Sequence, residues 1–242
     1  MSEYSKLAKI YDALYSFKNY EAEAKRLHEI ISEKKTSPGN TLLDVACGTG
    51  THLSFLQKYY AVEGIDYTPE MLGVARARHP EITFHEGDMR TFDLARCFDV
   101  VTCLFSSIGY MKNVHDLRAA VINMTRHLKP GGVLIIEPWL TEETWKAGGI
   151  HALYVDKPDF KIARMDIPSS KGRMSVFQWH MLIGTAEGIQ YLKQKHELFL
   201  FNNAEYIEAF NAAGLDVTYD EKGLMNRGLF IGTSITLDTN RR

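Results

Sequence analysis

The sequence predicts a mostly parallel α/β sheet with helices on both faces. Three observations carry that prediction. Apolar strand-like runs alternate with helical periodicity from Thr41 to Glu137, glycine, proline or capping residues mark the junctions, and 242 residues suffice for one large domain or a core with a small lid.

Two amphipathic segments come first. Leu7, Ile10, Tyr11 and Leu14 fall at helical spacing, as do Tyr20, Ala24, Leu27 and Ile31, with a loop over 15–19 between them. Ser37-Pro38-Gly39-Asn40 then breaks the chain. Thr41 to Val45 reads as a buried strand, followed by a glycine loop and a helix from Thr51. Ala61 to Asp66 is a second strand. Thr68 can cap the next helix, with Pro69 at its first position, where a missing N–H costs nothing. Ile82 to Glu86 and Phe98 to Leu104 are further strands. Val114, Leu117, Val121, Met124 and Leu128 then share one helical face, which Lys129-Pro130-Gly131-Gly132 stops before a fifth strand over Val133 to Glu137.

The pattern changes after residue 145. Short alternating runs over 152–155, 160–165, 174–182 and 189–200 predict an inserted antiparallel sheet. A helix over 204–213, closed by Gly214, and strands over 215–219 and 228–235 return to the core and bring its sheet to seven strands. The predicted organisation is a core of 1–145 and 202–242 with a lid of 146–201.

Composition excludes several classes. The net charge is −2, and the basic residues are scattered, so no nucleic-acid partner is expected. No apolar stretch is long enough to span a bilayer. The three cysteines lack a C-x-x-C, and the nine histidines lack H-E-x-x-H or Cys/His ligand spacing, so neither a disulfide framework nor a metal site is expected. Each histidine reads as a surface or satisfied core residue. A reduced, cytoplasmic location is the expectation.

The chemistry lies at the strand ends, where open parallel sheets bind ligands. Asp44-Val45-Ala46-Cys47-Gly48-Thr49-Gly50 is a strand, an acid and a Gly-x-Gly loop opening a helix. Leu53 occupies the place of the third glycine of G-x-G-x-x-G, which breaks the dinucleotide fingerprint and argues against an NAD-linked dehydrogenase. Asp66 ends the second strand, where a carboxylate can accept both ribose hydroxyls. Asp88 and Met89 follow the third, where an acid can take an exocyclic amine and an apolar side chain can pack on adenine. Asp44 can hold a cationic amino-acid group, directly or through water. Acids without a basic phosphate clamp suit a cationic nucleoside, and S-adenosylmethionine is one.

Leu43 to Gly50, Asp66, Gly87-Asp88-Met89 and Leu128 to Gly132 resemble the ordered motifs of class I methyltransferases, whose fold is a Rossmann-like, mostly parallel seven-stranded sheet. Ile10-Tyr11-Asp12, the run Cys47 to Leu53, Phe105-Ser106-Ser107-Ile108-Gly109-Tyr110, Glu137-Pro138-Trp139 and Arg227-Gly228-Leu229-Phe230 resemble the TDP-3-amino-sugar N,N-dimethyltransferases of the desosamine and mycaminose pathways. That resemblance implies an antiparallel lid and a homodimer. It implies cofactor contacts from Tyr11, Tyr20, Ala46, Asp66, Asp88, Met89 and Leu104. Asp44, Gly48, Gly50, Tyr67 and Met71 are further cofactor candidates. Tyr4 would close over the active site, Tyr110 would stand at the proton-handling position, and Ser107, Trp139, Arg164 and Arg227 are substrate candidates. The chain departs from the family pattern at Leu140 and at Leu224-Met225-Asn226, both in the acceptor region.

The expected reaction is transfer of methyl from S-adenosylmethionine to the amine of a small polar acceptor, best the 3-amino group of a TDP-sugar, twice in succession. Another small amine or a hydroxyl is the alternative acceptor. A non-catalytic protein on the same fold is the remaining reading. An unperturbed phenol, with pKa near ~10, is a poor base at neutral pH, so Tyr110 is expected to orient the amine rather than to deprotonate it strongly.

Overall fold

The computed structural model describes residues 13–234. Its central sheet has seven strands in the order β11-β12-β5-β4-β1-β2-β3. These are β1 (Thr41–Val45), β2 (Ala61–Asp66), β3 (Thr83–Glu86), β4 (Phe98–Cys103), β5 (Leu128–Ile136), β11 (Leu215–Asp220) and β12 (Leu229–Ser234). β1 to β5 run parallel, while β12 pairs antiparallel with β5 and with β11. Strand order reverses at β1, with β2 on one side and β4 on the other, and this places the ligand crevice beyond their carboxyl ends.

Side chains of successive residues alternate across the sheet. Leu42, Val100, Val133 and Ile135 pack on one face against α1 (Tyr20–Lys34), α2 (Thr51–Leu56) and α3 (Pro69–Arg78). Leu43, Val45, Val101, Leu134 and Ile136 pack on the other against α4 (Val114–Arg126) and α5 (Asn203–Ala212). A sheet buried on both faces explains why these strands read as continuous apolar runs rather than alternating ones. Local chemistry fixes the helix starts. The Asn19 side chain accepts the Ala22 N–H, Asn113 accepts from Asp116, and Asn202 with Glu205 forms a reciprocal capping box.

The second sheet, ordered β10-β9-β7-β6, is wholly antiparallel. It comprises β6 (His151–Asp156), β7 (Phe160–Asp166), β9 (Met174–Thr185) and β10 (Gly188–Phe199), with β8 (Ser169–Lys171) paired to β9. One face carries Val155, Ile162, Trp179, Met181 and Ile183, which pack with Ala13 and Leu14.

Three elements differ from the sequence-based expectations. β5 begins at Leu128, not Val133, because Leu128 pairs with Phe98 before the register shifts at a bulge over Lys129–Gly132. Gly131 takes φ +74° there, and a Cβ on Gly132 would press on the carbonyls of Lys129 and Asp99. Thr68 occupies the cap position of α3 but makes no side-chain cap bond, and its own N–H donates to Asp66 instead. β8 was not anticipated, since its Ser-Ser-Lys has no apolar alternation. The first amphipathic segment, with Tyr4 and Tyr11, lies almost entirely outside the described residues. Among the described residues, no helix is long and apolar enough to cross a membrane.

Candidate active site

The loop after β1 bends through left-handed conformations at Ala46 (φ +60°), Gly48 (+57°) and Gly50 (+77°). Glycine meets this demand without strain, whereas Ala46 meets it as a non-glycine residue. A Cβ on Gly48 would meet nothing within 4 Å, so bare backbone faces a cavity there. The Gly48 N–H donates to Asp66 Oδ2 and the Thr68 N–H to Asp66 Oδ1, each at 2.8 Å. A carboxylate has about four lone-pair sites, so each oxygen keeps capacity toward the cavity.

That cavity, about 530 Å³, is lined by Ala46, Gly48, Asp66, Tyr67, Met71, Asp88 and Met89, and by Ser107, Tyr110 and His196. Arg90 reaches its rim but is engaged by Asp88, whose carboxylate accepts from its Nη2 at 2.6 Å, and lies 3.5 Å from Asp116. The Arg90 hydrogen bonds hold the Asp88 carboxyl below its ordinary range against opposing burial. Asp44, Gly50, Leu104 and Tyr20 are not among the lining residues. Asp44 is buried beneath the loop and accepts from Thr102 Oγ1 at 2.7 Å. Burial pushes its carboxyl up to about 6, against the lowering effect of His52 and Thr102, and the nearby Asp66 adds to the rise. Tyr20 packs edge-on to His52. Among the described residues, no group of His, Cys, Asp and Glu could hold a metal ion.

A second cavity, about 360 Å³, lies under the antiparallel sheet. It collects Ser107, Tyr110, Trp139, Arg164 and Arg227 with an aromatic wall of Tyr15, Phe105, Trp145, Phe177 and Trp179. Ser107, Tyr110 and His196 line both cavities, so the two meet there. Their junction rests on consecutive left-handed residues, Phe105 (φ +52°) and Ser106 (+64°). Glu137 Oε2 accepts the Phe105 N–H at 2.7 Å, Ser106 Oγ donates to the Pro138 carbonyl at 2.7 Å, and Arg227 Nη1 donates to Ser106 Oγ at 2.8 Å. The buried Lys18 ammonium sits 3.9 Å from the Phe105 ring centroid and 3.0 Å from Glu23. The Trp139 indole N–H is already given to Ser175 Oγ, which leaves its ring as the surface it offers. Arg164 lies over the Trp179 ring, with Nε 3.6 Å from Asp166 Oδ1.

Residues 42–132 match the model of a methyltransferase domain. The chain is 40% identical over 229 residues, 93% of its length and 96% of the relative's, to a dTDP-3-amino-3,4,6-trideoxy-alpha-D-glucopyranose N,N-dimethyltransferase of Streptomyces venezuelae. It is 36% identical, over 93% of its length and 91% of the relative's, to a dTDP-4-amino-2,3,4,6-tetradeoxy-D-glucose N,N-dimethyltransferase of Saccharopolyspora spinosa. The SAM-bound structure of CalS10, an amino pentose methyltransferase from Micromonospora echinaspora involved in calicheamicin biosynthesis, superposes with a TM-score of 0.84 at 39% identity, covering 93% of this chain and 96% of that one.

This chain belongs to the amino-sugar N,N-dimethyltransferase family.

In this methyltransferase the histidine reading needs correction at one position. His196 is neither a surface residue nor a satisfied core one. It is buried, stands at the junction of the two cavities and pairs with Tyr110, while Nε2 has no hydrogen-bond partner among the described residues. Burial, reinforced by the charge of Arg164, lowers its pKa to about 4, so the ring is neutral. Asp166, Lys18 and the Phe177–Trp179 wall were also missed. The alternation of β10 could have placed His196 on the inner face with Leu192, Gln194 and Leu198, but no sequence signal tied it to Tyr110.

Proposed function

We propose that this methyltransferase moves methyl groups from S-adenosylmethionine to the amino group of a nucleoside-diphosphate amino-deoxysugar, two in succession, with a dTDP-3-amino sugar as the preferred acceptor. The meeting of the two cavities at Ser107, Tyr110 and His196 carries this reading. One cavity is lined by acids and bare glycine backbone at the strand ends. The other carries two guanidinium groups among aromatic rings.

The residues present fit the donor. Asp66 accepts the ribose hydroxyls, Asp88 and Met89 receive the adenine, and the backbone of 46–50 supports the amino-acid end. Asp44, a buried carboxyl beside a second acid, gains from a cation placed against it. S-adenosylmethionine supplies a methyl group already activated on a sulfonium, so the task of the protein is alignment, which can lower a barrier by about 7–11 kcal/mol. Arg164 and Arg227 suit the diphosphate, since guanidinium groups match phosphate oxygens in pairs. Trp139, Trp145 and Phe177 offer ring faces to a base. Tyr110, between the cavities, orients the amine with its hydroxyl. Burial pushes that hydroxyl well above the ordinary phenol range, with Tyr15 and Asp66 contributing, which disfavours a resting phenolate.

Residues 146–201 act in this reading as an inserted lid on a core of 1–145 and 202–242. A homodimer is part of the proposal. The outer face of the second sheet carries a row of Tyr154, Ala163, Leu182 and Tyr191 in register across its four strands, extended by Met165 and Ile189. The large side chains of this row are exposed. A contiguous exposed apolar patch of this kind marks an interaction surface, and a second copy of the same sheet is its self-complementary occupant.

The acceptor is tested by incubating the protein with S-adenosylmethionine and, separately, dTDP-3-amino- and dTDP-4-amino-deoxyhexoses, then weighing the products. Gain of two methyl groups on the 3-amino sugar is expected. No gain on either sugar overturns the acceptor assignment.

A further inference from the structure

Tyr110 and His196 come from different parts of the molecule. Tyr110 ends the 3-10 turn Ser107–Tyr110 beyond β4, and His196 lies on β10 of the second sheet. Tyr110 Oη and His196 Nδ1 are 2.7 Å apart. The imidazole is wedged between Phe177, stacked at 5.1 Å and 22°, and Trp179, tilted at 4.3 Å and 53°. This packing fixes the ring plane. Nε2, buried and without a partner among the described residues, belongs to a ring that lines the acceptor cavity.

Dimethylation sets a requirement that single methylation does not. Each transfer leaves an ammonium, which has no lone pair. A second transfer must wait until a proton has left the nitrogen. A bound intermediate, shielded by the lid, needs a path for that proton.

We propose that His196 is the positioning residue of this path: it takes the Tyr110 hydroxyl proton at Nδ1, so that Tyr110 can strip the ammonium left by the first transfer and prepare the nitrogen for the second. The proposal rests on the amino-sugar reading above.

The step balances as follows. The amine lone pair forms the N–C bond as the S–C bond breaks, giving a methylammonium. One ammonium proton passes to Tyr110 Oη while the Tyr110 O–H proton passes to His196 Nδ1. Tyrosine ends neutral, the amine regains its lone pair, and the imidazole becomes an imidazolium. The Nε2 proton then leaves to an anionic oxygen of the acceptor bound in the cavity that His196 lines, which restores neutral His196 in its other tautomer. Rotation of the Tyr110 hydroxyl and proton exchange with solvent reset the pair.

The charged groups around the ring favour this order. Arg164 on β7 faces His196, with Asp166 beside it, and Arg227 lines the same cavity; Phe177 and Trp179 on β9 are neutral. Of its neighbours on β10, Lys195 is exposed and pairs with the half-buried Glu197. A diphosphate bound at Arg164 offsets the cationic pressure on His196, so the imidazolium becomes accessible once the acceptor is in place.

The test compares the two transfers. The second is measured as the fraction of bound monomethyl intermediate carried on to dimethyl product, with the chemically monomethylated sugar nucleotide, whose ammonium can lose its proton to solvent before binding, as the reference that His196 should affect less. In His196→Phe and His196→Ala the second transfer is expected to fall about tenfold more than the first, less than the roughly 100- to 10,000-fold of a group that meets the reacting proton directly, because His196 acts through Tyr110, and monomethyl product to accumulate. Added imidazole should restore the second transfer in His196→Ala, a rescue that a merely structural role would not give. An equal fall in both transfers without rescue overturns the proposal. An arm independent of turnover follows the imidazole nitrogens by NMR in the wild-type protein and in Tyr110→Phe, with S-adenosylmethionine binding checked by calorimetry. The His196 Nδ1 resonance should move in Tyr110→Phe. If the wild-type protein methylates no amino sugar, the acceptor reading fails, and this arm decides the pair: an unmoved Nδ1 resonance overturns it.

Discussion

Gly48 donates its backbone N–H to Asp66 Oδ2 at 2.8 Å and so ties the loop after β1 to the acid that ends β2. The carboxylate therefore has two tasks, holding the loop and offering its remaining lone pairs to ribose. Asp66→Ala removes both. Loss of two charge-assisted hydrogen bonds, at about 1.5–3 kcal/mol each, predicts S-adenosylmethionine binding weaker by about two orders of magnitude or more. Asp66→Glu should keep most of the affinity, because the carboxylate survives. Calorimetric titration of both variants checks the pair, and equal loss in the two would contradict the ribose assignment.

The raised Asp44 carboxyl, at about 6 in the free protein, makes cofactor binding depend on pH. Burial raises it, and a bound cation lowers it again. Binding therefore releases a proton wherever free Asp44 is still protonated. Affinity for S-adenosylmethionine should rise as pH increases from about 5 to 6, by up to about tenfold per unit, and level off near 7. The same shift acts on folding with a definite sign. The folded form holds the proton more tightly than the unfolded one, so the Asp44 contribution to stability is complete below about pH 4 and declines as pH rises through 6. Asp44→Asn should flatten the affinity profile. Titrations in buffers of different ionisation enthalpy count the released proton, and a pH-independent affinity would rule the linkage out.

Glu23 holds two partners at once, Lys18 at 3.0 Å and His52 at 2.8 Å, and all three side chains are buried. Replacing Glu23 by Ala strands the Lys18 ammonium, whose pKa is already depressed by burial despite Glu23 and Glu137. Breaking a buried pair in this way costs about 3–5 kcal/mol. Glu21→Ala, which removes an exposed partner of Lys58, should leave the melting temperature within error of wild type. Thermal melts of the two variants side by side decide it; similar shifts would mean that the buried pair contributes no more than the surface one.

The central sheet was legible because its physics is local and periodic. Leu42 to Val45 and Phe98 to Cys103 are buried throughout and apolar apart from Asp44, Asp99 and Thr102, as strands covered on both faces mostly are, and Val114 and Pro69 open helices where the sequence places them. The sequence also brought Ala46, Gly48, Asp66, Met71, Asp88 and Met89 toward one crevice through their places at strand ends. It did not bring His196 to Tyr110, which stand 86 residues apart. Their contact depends on how the second sheet leans over the first, and neither periodicity nor spacing encodes that angle. Asp44 shows the limit of spacing in another way. Its place beside the glycine loop left a direct or a water-mediated contact open, and its burial and its bond to Thr102 set it beneath the loop.

Arg164 and Arg227 should both matter for the acceptor, but differently. Each guanidinium lost from a diphosphate removes about 1.5–3 kcal/mol, so dTDP, used as a non-reacting acceptor analogue, should bind about 10- to 100-fold more weakly to either alanine variant. Arg227 also supports the left-handed Ser106 through its bond to Oγ. Arg227→Ala should therefore lower the melting temperature and disturb methyl transfer beyond its effect on binding, whereas Arg164→Ala should act on acceptor binding and on the neighbouring His196 and Asp166 while leaving Ser106 in place. Arg227→Lys cannot reproduce the guanidinium contacts to both Ser106 and the phosphate and should resemble the alanine variant. Unchanged dTDP affinity in both variants would remove the diphosphate from this cavity.

The outer row of the second sheet predicts how the protein assembles. Tyr191 and Leu182 stand side by side, Tyr154 follows across Ala163 on the next strand, and all three large side chains are exposed. A charge at the centre of the row meets its own copy across a two-fold axis, so Leu182→Glu sets like charges against each other in a low-dielectric contact. The inner face and the cavity beneath it carry other residues and should keep their packing. The expected result is a dimer for the wild-type protein and a monomer for Leu182→Glu by sedimentation velocity, with S-adenosylmethionine affinity retained. Glu208→Lys, on α5 of the core sheet, serves as the control and should remain dimeric. A wild-type monomer, or a Leu182→Glu dimer as stable as the wild type, would exclude this face as the contact between copies.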